Sequence, residues 1–204
     1  MKALAARFVE ESSLELHDFL STEVAERLEA GLRECDIADG LGSDRATKIP
    51  LHSAGTGNGW TTKGPPHKWR YNVLDSSGEA GSPKMLALQT PQGLMRSLQN
   101  VLFPSPAFRA WLAIVSRLLP MRYAVEARRF CPGLGYTLAT SEESEARLDV
   151  VLGLTPQMRA DVGVSRKGKG KVKAEPRGWP TGHWGGWEVN FLAWCSMSNS
   201  FAHD

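Results

Sequence analysis

Arg128-Arg129-Phe130-Cys131-Pro132-Gly133-Leu134-Gly135-Tyr136-Thr137-Leu138-Ala139-Thr140, followed by Arg147-Leu148-Asp149-Val150-Val151-Leu152-Gly153-Leu154-Thr155-Pro156, reads as strands joined by turns. Pro132-Gly133 and Gly135 supply one turn, since proline presets φ and glycine accepts positive values. Leu148, Val150, Leu152 and Leu154 recur at every second residue, the period of a strand with one buried face. Just upstream, Met121, Tyr123 and Val125 alternate with Arg122, Ala124 and Glu126 in the same way. A last strand is expected from Trp187 to Trp194, with Val189, Phe191 and Ala193 on the face shared with Trp187.

Working outward, Trp69, Tyr71 and Val73 alternate with Lys68, Arg70 and Asn72, which predicts a half-buried strand over 67–74. The pattern puts Trp69 and Tyr71 in the core and Lys68 and Arg70 outside. Pro65 and Pro66 are expected to prevent pairing further upstream, because proline has no N–H to donate. Thr90-Pro91 and Ser105-Pro106 each place a hydroxyl at an N-cap and proline at the first helical position. The second of these helices presents Phe108, Trp111, Leu112, Val115 and Leu119 on one face, and Pro120 is expected to stop it. An earlier helix is expected from Ser21 to about Cys35, buried along Val24, Leu28 and Leu32. Residues 39–59 hold five glycines and a proline without periodicity, and read as loop. Helices first and strands later imply an α+β, mostly β architecture in which helices brace one face of a largely antiparallel sheet.

Together with Gly64-Pro65-Pro66-His67-Lys68-Trp69-Arg70-Tyr71, the two stretches quoted first resemble the C-terminal domain of the prolyl 3,4-dihydroxylase family. These are two-domain iron- and 2-oxoglutarate-dependent oxygenases that act on a ribosomal protein, and the resemblance covers about residues 14–194. It implies a double-stranded β-helix, or jelly-roll. After the Gly-Gly-aromatic-Glu segment, here Gly185-Gly186-Trp187-Glu188, relatives continue with further strands, whereas this sequence ends at Asp204. A roll left incomplete at its C-terminal end is therefore expected. The family's iron ligands lie in its N-terminal domain, so the resemblance implies a single non-catalytic domain over 1–204. On that reading the iron(II), 2-oxoglutarate and ascorbate of the family belong to a catalytic domain that is this chain's partner. The same resemblance points to translation termination and oxygen-responsive control as the setting.

Composition agrees with a folded chain. With 42% apolar residues among 204 it can build a core, and its formal charge of +2 gives no argument for nucleic acid by itself. Cys35, Cys131 and Cys195 form no C-x-x-C pair, so neither a zinc knuckle nor a disulfide framework is suggested. That usage fits a reducing compartment, cytoplasmic or nuclear. Arg7, Glu10 and Glu11 interrupt the N-terminal apolar run and argue against a secretory signal. No run approaches the roughly 18 apolar residues of a membrane span.

The chemistry of the family is not legible here. A non-haem iron site needs two histidines and a carboxylate on one face of the metal. None of the five histidines, His17, His52, His67, His183 and His203, begins an H-x-D or H-x-E motif. A rearranged site from His67, His183 and Glu188 is the alternative under which the chain is itself a peptidyl-proline dioxygenase. Of Arg128 and Arg129, at most one points inward, either to clamp a carboxylate such as 2-oxoglutarate or to pair with a structural acid such as Asp149 or Glu126. Lys68 and Arg70 are candidate docking cations beside the aromatics of their strand. The run 165–177 carries six positive charges against one acid, with glycines that forbid regular structure. Arg166, Lys167, Lys169, Lys171 and Lys173 thus sit in a basic flexible loop, 165–181, that suits phosphates. A second alternative follows: an RNA- or ribosome-associated adaptor, for which a ribosomal protein or RNA is the partner and no membrane is involved.

Overall fold

The computed structural model describes residues 1–41, 50–76, 88–138, 147–155 and 186–197. Helix α1 (Lys2–Glu11) ends at Ser12, whose φ of 57° turns the chain out of the helix while its N–H still reaches the Phe8 carbonyl. No periodicity marks this helix, because only Ala5 is buried and the partly buried Phe8 merely abuts the core. Helix α2 (Thr22–Ala38) starts after Ser21 as expected and runs on past Cys35. Its buried stripe, Leu28 and Leu32, continues four residues later to Asp36, a carboxylate in a core position. A Cβ on Gly31 would lie 2.8 Å from the Pro91 ring, so this glycine lets α2 cross the start of the next helix closely.

Helix α3 (Pro91–Ser97) is capped by the Thr90 hydroxyl, which accepts from the Gly93 N–H at 3.1 Å. It widens into a π-helical turn, Leu98–Leu102. That turn aims buried Gln99 at the sheet, where its Oε1 accepts the Ala127 N–H at 2.7 Å. Helix α4 (Pro106–Ser116) is capped by Ser105 in the same manner as α3. Its end differs from the expectation. Arg117 takes φ 58° and breaks the helix there, and Ser116 Oγ donates to the Leu112 carbonyl and accepts from the Leu118 N–H. Pro120 does not stop a helix; it lies inside a strand, at a register shift between Pro120 and Arg122 where a missing N–H is tolerated.

The described strands form one antiparallel sheet in the order β1-β2-β3-β6-β5. They are β1 (Trp60–Lys63), β2 (Trp69–Leu74), β3 (Leu118–Phe130), β4 (Tyr136–Thr137), β5 (Arg147–Gly153) and β6 (Gly186–Met197). The prolines do not prevent upstream pairing. They sit in the connection of a β1–β2 hairpin that pairs Trp60 with Leu74 and Lys63 with Tyr71, and the Gly64–Pro65 peptide is cis. Strand β2 forks. Asn72 and Val73 pair with β3, while Trp69 and Arg70 pair with the short β4 beyond the Cys131–Gly135 turn.

Every second residue of β6, Trp187, Val189, Phe191 and Ala193, enters the core. There they meet Leu28, Leu32, Leu94, Met95, Phe108 and Leu112 from the helices and Phe103 from the turn before α4. Phe191 is the hub, with ring centroids of Phe108 and Tyr123 each 5.6 Å away. The architecture is thus α+β, helices on one face of a sheet. One reading of β2 is reversed. Its helix-side face carries Asn72 and Leu74, with Arg70 in the same alternation, whereas Trp69 and Tyr71 belong to the opposite face. Tyr71 is nonetheless buried, its ring 5.3 Å from that of Phe130. Both faces of this strand are covered, so alternation alone gave no way to choose between them.

Candidate functional site

The charged groups of the sheet gather around consecutive arginines of β3 that point to opposite faces. Arg129 points inward and is 2% exposed. Its Nη2 donates to Asp36 Oδ1 at 2.9 Å and its Nη1 to Asp39 Oδ2 at 2.5 Å. The other oxygen of Asp36 accepts from the Trp187 indole N–H at 3.1 Å. That indole ring in turn lies under the guanidinium, 4.2 Å from Cζ to the ring centroid. Burial works against the charged guanidinium, but the attraction of Asp36 and Asp39 outweighs it and pushes the Arg129 pKa up. Arg129 Nε finds no acceptor. An inward arginine held by structural acids is what the sequence suggested. The acids, however, are Asp36 of α2 and Asp39 at its C-cap, not Asp149 or Glu126. Asp149 instead pairs with its strand neighbour Arg147 at 3.1 Å near the surface.

A loop seals this cluster. Gly55, at φ +79°, brings its backbone so close that a Cβ would lie 2.5 Å from Cys131 Sγ and 3.1 Å from Arg129 Nη1. The carbonyl of Ala54 accepts from Asn72 Nδ2 and from the Cys131 thiol, each at 3.3 Å. Burial pushes the thiols of Cys35, Cys131 and Cys195 up, which disfavours the reactive thiolate.

Arg128 points to the other face. Its guanidinium contacts Glu126 Oε2 at 3.0 Å and Glu188 Oε1 at 3.6 Å, and lies 5.0 Å over the Tyr71 ring. Glu126 also receives the Tyr71 hydroxyl at 3.2 Å and the ammonium of Lys63. Burial alone would raise the Glu126 carboxyl. The bonds from Lys63 and the charge of Arg128 prevail and hold it below the usual carboxylate range. Glu188 shifts the opposite way, pushed up by burial with only Arg128 opposing. Burial, with Glu126 beside it, drives the Tyr71 phenol up to about 12. Two carboxylates and two cations here neutralise one another.

Of the docking cations, Lys68 is exposed. Arg70 is half-buried and donates to the Leu134 carbonyl at 2.9 Å and the His52 carbonyl at 2.7 Å, tying two loops to β2. Arg166, Lys167, Lys169, Lys171 and Lys173, and with them the basic loop 165–181, lie outside the described residues. The alternative iron set is not brought together among those residues. His67 is exposed, Glu188 faces Arg128, and His183 lies outside them. Among the described residues no group of three His, Cys, Asp or Glu side chains could hold a metal ion. None of their helices is long and apolar enough to cross a membrane.

Sequence reasoning missed Asp36, Asp39 and Gln99. The signal for Asp36 was present: the four-residue stripe of Val24, Leu28 and Leu32 predicts position 36 as its next buried site. A carboxylate there demands a buried cation, and β3 offers one.

Fold and site define an α+β domain whose interior charges are matched to one another. Comparison of the sequence with known families is more specific. A family model described as "Oxoglutarate and iron-dependent oxygenase degradation C-term" matches residues 1–200, and the chain belongs to that family. It is also similar to a curated protein of Ostreococcus tauri named prolyl 3,4-dihydroxylase OGFOD1, with 27% identity over 168 residues. The match takes in 76% of this chain but 29% of that protein, so the chain spans under a third of its relative's length.

Proposed function

We propose that the chain is a non-catalytic domain over 1–204 that supports the catalytic domain of a prolyl-hydroxylase-type oxygenase and helps bind its partners or its ribosomal-protein substrate. The observation that carries this reading is the use of the sheet's charged groups. Arg129 is committed to Asp36 and Asp39, and Arg128 to Glu126 and Glu188, leaving neither arginine for a co-substrate carboxylate. Kinship to the oxygenase C-terminal family, and a match to under a third of a dihydroxylase, support a supporting rather than a self-sufficient role. The same kinship favours taking the sheet as one wall of a double-stranded β-helix, with the helices on its outer side. Iron, 2-oxoglutarate and ascorbate then belong to the partner domain, in the cytoplasm or nucleus.

Anaerobic thermal unfolding with and without iron(II) and 2-oxoglutarate tests the reading. The midpoint is expected to stay unmoved by either. A ligand held at a hundredfold excess over its dissociation constant would add about 2.7 kcal/mol, and a shift of that size would assign the chain its own oxygenase site.

The basic run 165–177, six cations against one acid, favours a ribosomal or RNA contact as the finer form of this role. RNA binding is then expected to weaken steeply with salt and to vanish when Lys167, Lys169, Lys171 and Lys173 are neutralised together. Binding that survives neutralisation would remove the loop from the account.

A further inference from the structure

We draw no further inference here: the strongest candidate, the cross-strand row Arg122, Trp194 and Arg147 on the sheet face opposite the helices, carries nothing because Arg122 already lies over the Trp194 ring, Arg147 is paired with Asp149, and nothing in the structure shows what covers that face.

Discussion

Arg128 and Arg129 are the same residue type, one position apart, and each holds two carboxylates. Their surroundings differ in what water can do. Around Arg129 the arginine side chain is 3% exposed and Asp36 0%, with Asp39 at the rim at 30%, and one ion pair joins a helix to a strand across 93 residues of sequence. Around Arg128 the side chains remain 16–26% exposed, and the partners come from its own strand and the next one, with Lys63 at 40% completing the group. Removing a partner inside leaves an uncompensated buried charge, whereas outside water replaces much of what is lost. The inner cluster therefore ties α2 to the sheet where water cannot substitute for a lost partner, and the outer one is partly screened.

The sharpest way to break that contrast is Asp36→Asn. It keeps the shape but leaves the Arg129 guanidinium with Asp39 as its remaining carboxylate. A loss of about 3 kcal/mol is expected in urea unfolding, towards the lower end for a broken buried pair because Asp39 persists. If this variant is no less stable than one altered at Glu126, the distinction between the two sides fails.

Next in size is Gly55→Ala. A left-handed φ costs an L-residue roughly 1–2 kcal/mol, and the new methyl would also press on Cys131 and Arg129. A loss of about 2 kcal/mol and faster thiol labelling of Cys131 are expected. A neutral result would show that the loop does not seal the inner cluster.

The smallest effect is expected from Glu126→Gln, about 1 kcal/mol or less at neutral pH given its partial exposure. Its signature is the pH profile. The folded-state pKa of Glu126 lies below its ordinary value of 4.5, so its contribution is complete above that pH and disappears as pH falls through the depressed value. The variant should lose that part of the acid sensitivity. Glu188, shifted upward, contributes with the opposite slope and in a different window: its share of stability falls as pH rises from 4.5 through its raised value. Identical acid-unfolding profiles for parent and variant would show that the outer network carries no pH-dependent stability.

Much of this organisation was legible beforehand, for local reasons. Thr90-Pro91 and Ser105-Pro106 encode their helix starts in adjacent residues, because a cap needs only its own hydroxyl and the next turn's N–H. The alternation in β3, β5 and β6 fixes which residues share a face. Where two signals competed, position decided. Pro120 read as a helix stop, yet Arg117 had already ended α4 and the strand register absorbed the proline. The β1–β2 hairpin was missed because a four-residue strand carries too short a pattern, and the prolines between the strands read as a barrier.

By itself the sequence determined the α+β class, the capped starts of α3 and α4, the buried stripe of β6 and the lack of an H-x-D or H-x-E motif. All of these depend on residues within a turn or a strand of each other. Only the tertiary structure decided that Asp36 meets Arg129, that Gln99 caps the Ala127 N–H, and that Trp69 and Tyr71 lie on the face away from the helices. Those contacts join segments separated by tens of residues. Which buried charge finds which partner is settled by how helices and sheet pack, since a lone buried charge is equally unfavourable wherever its local sequence places it.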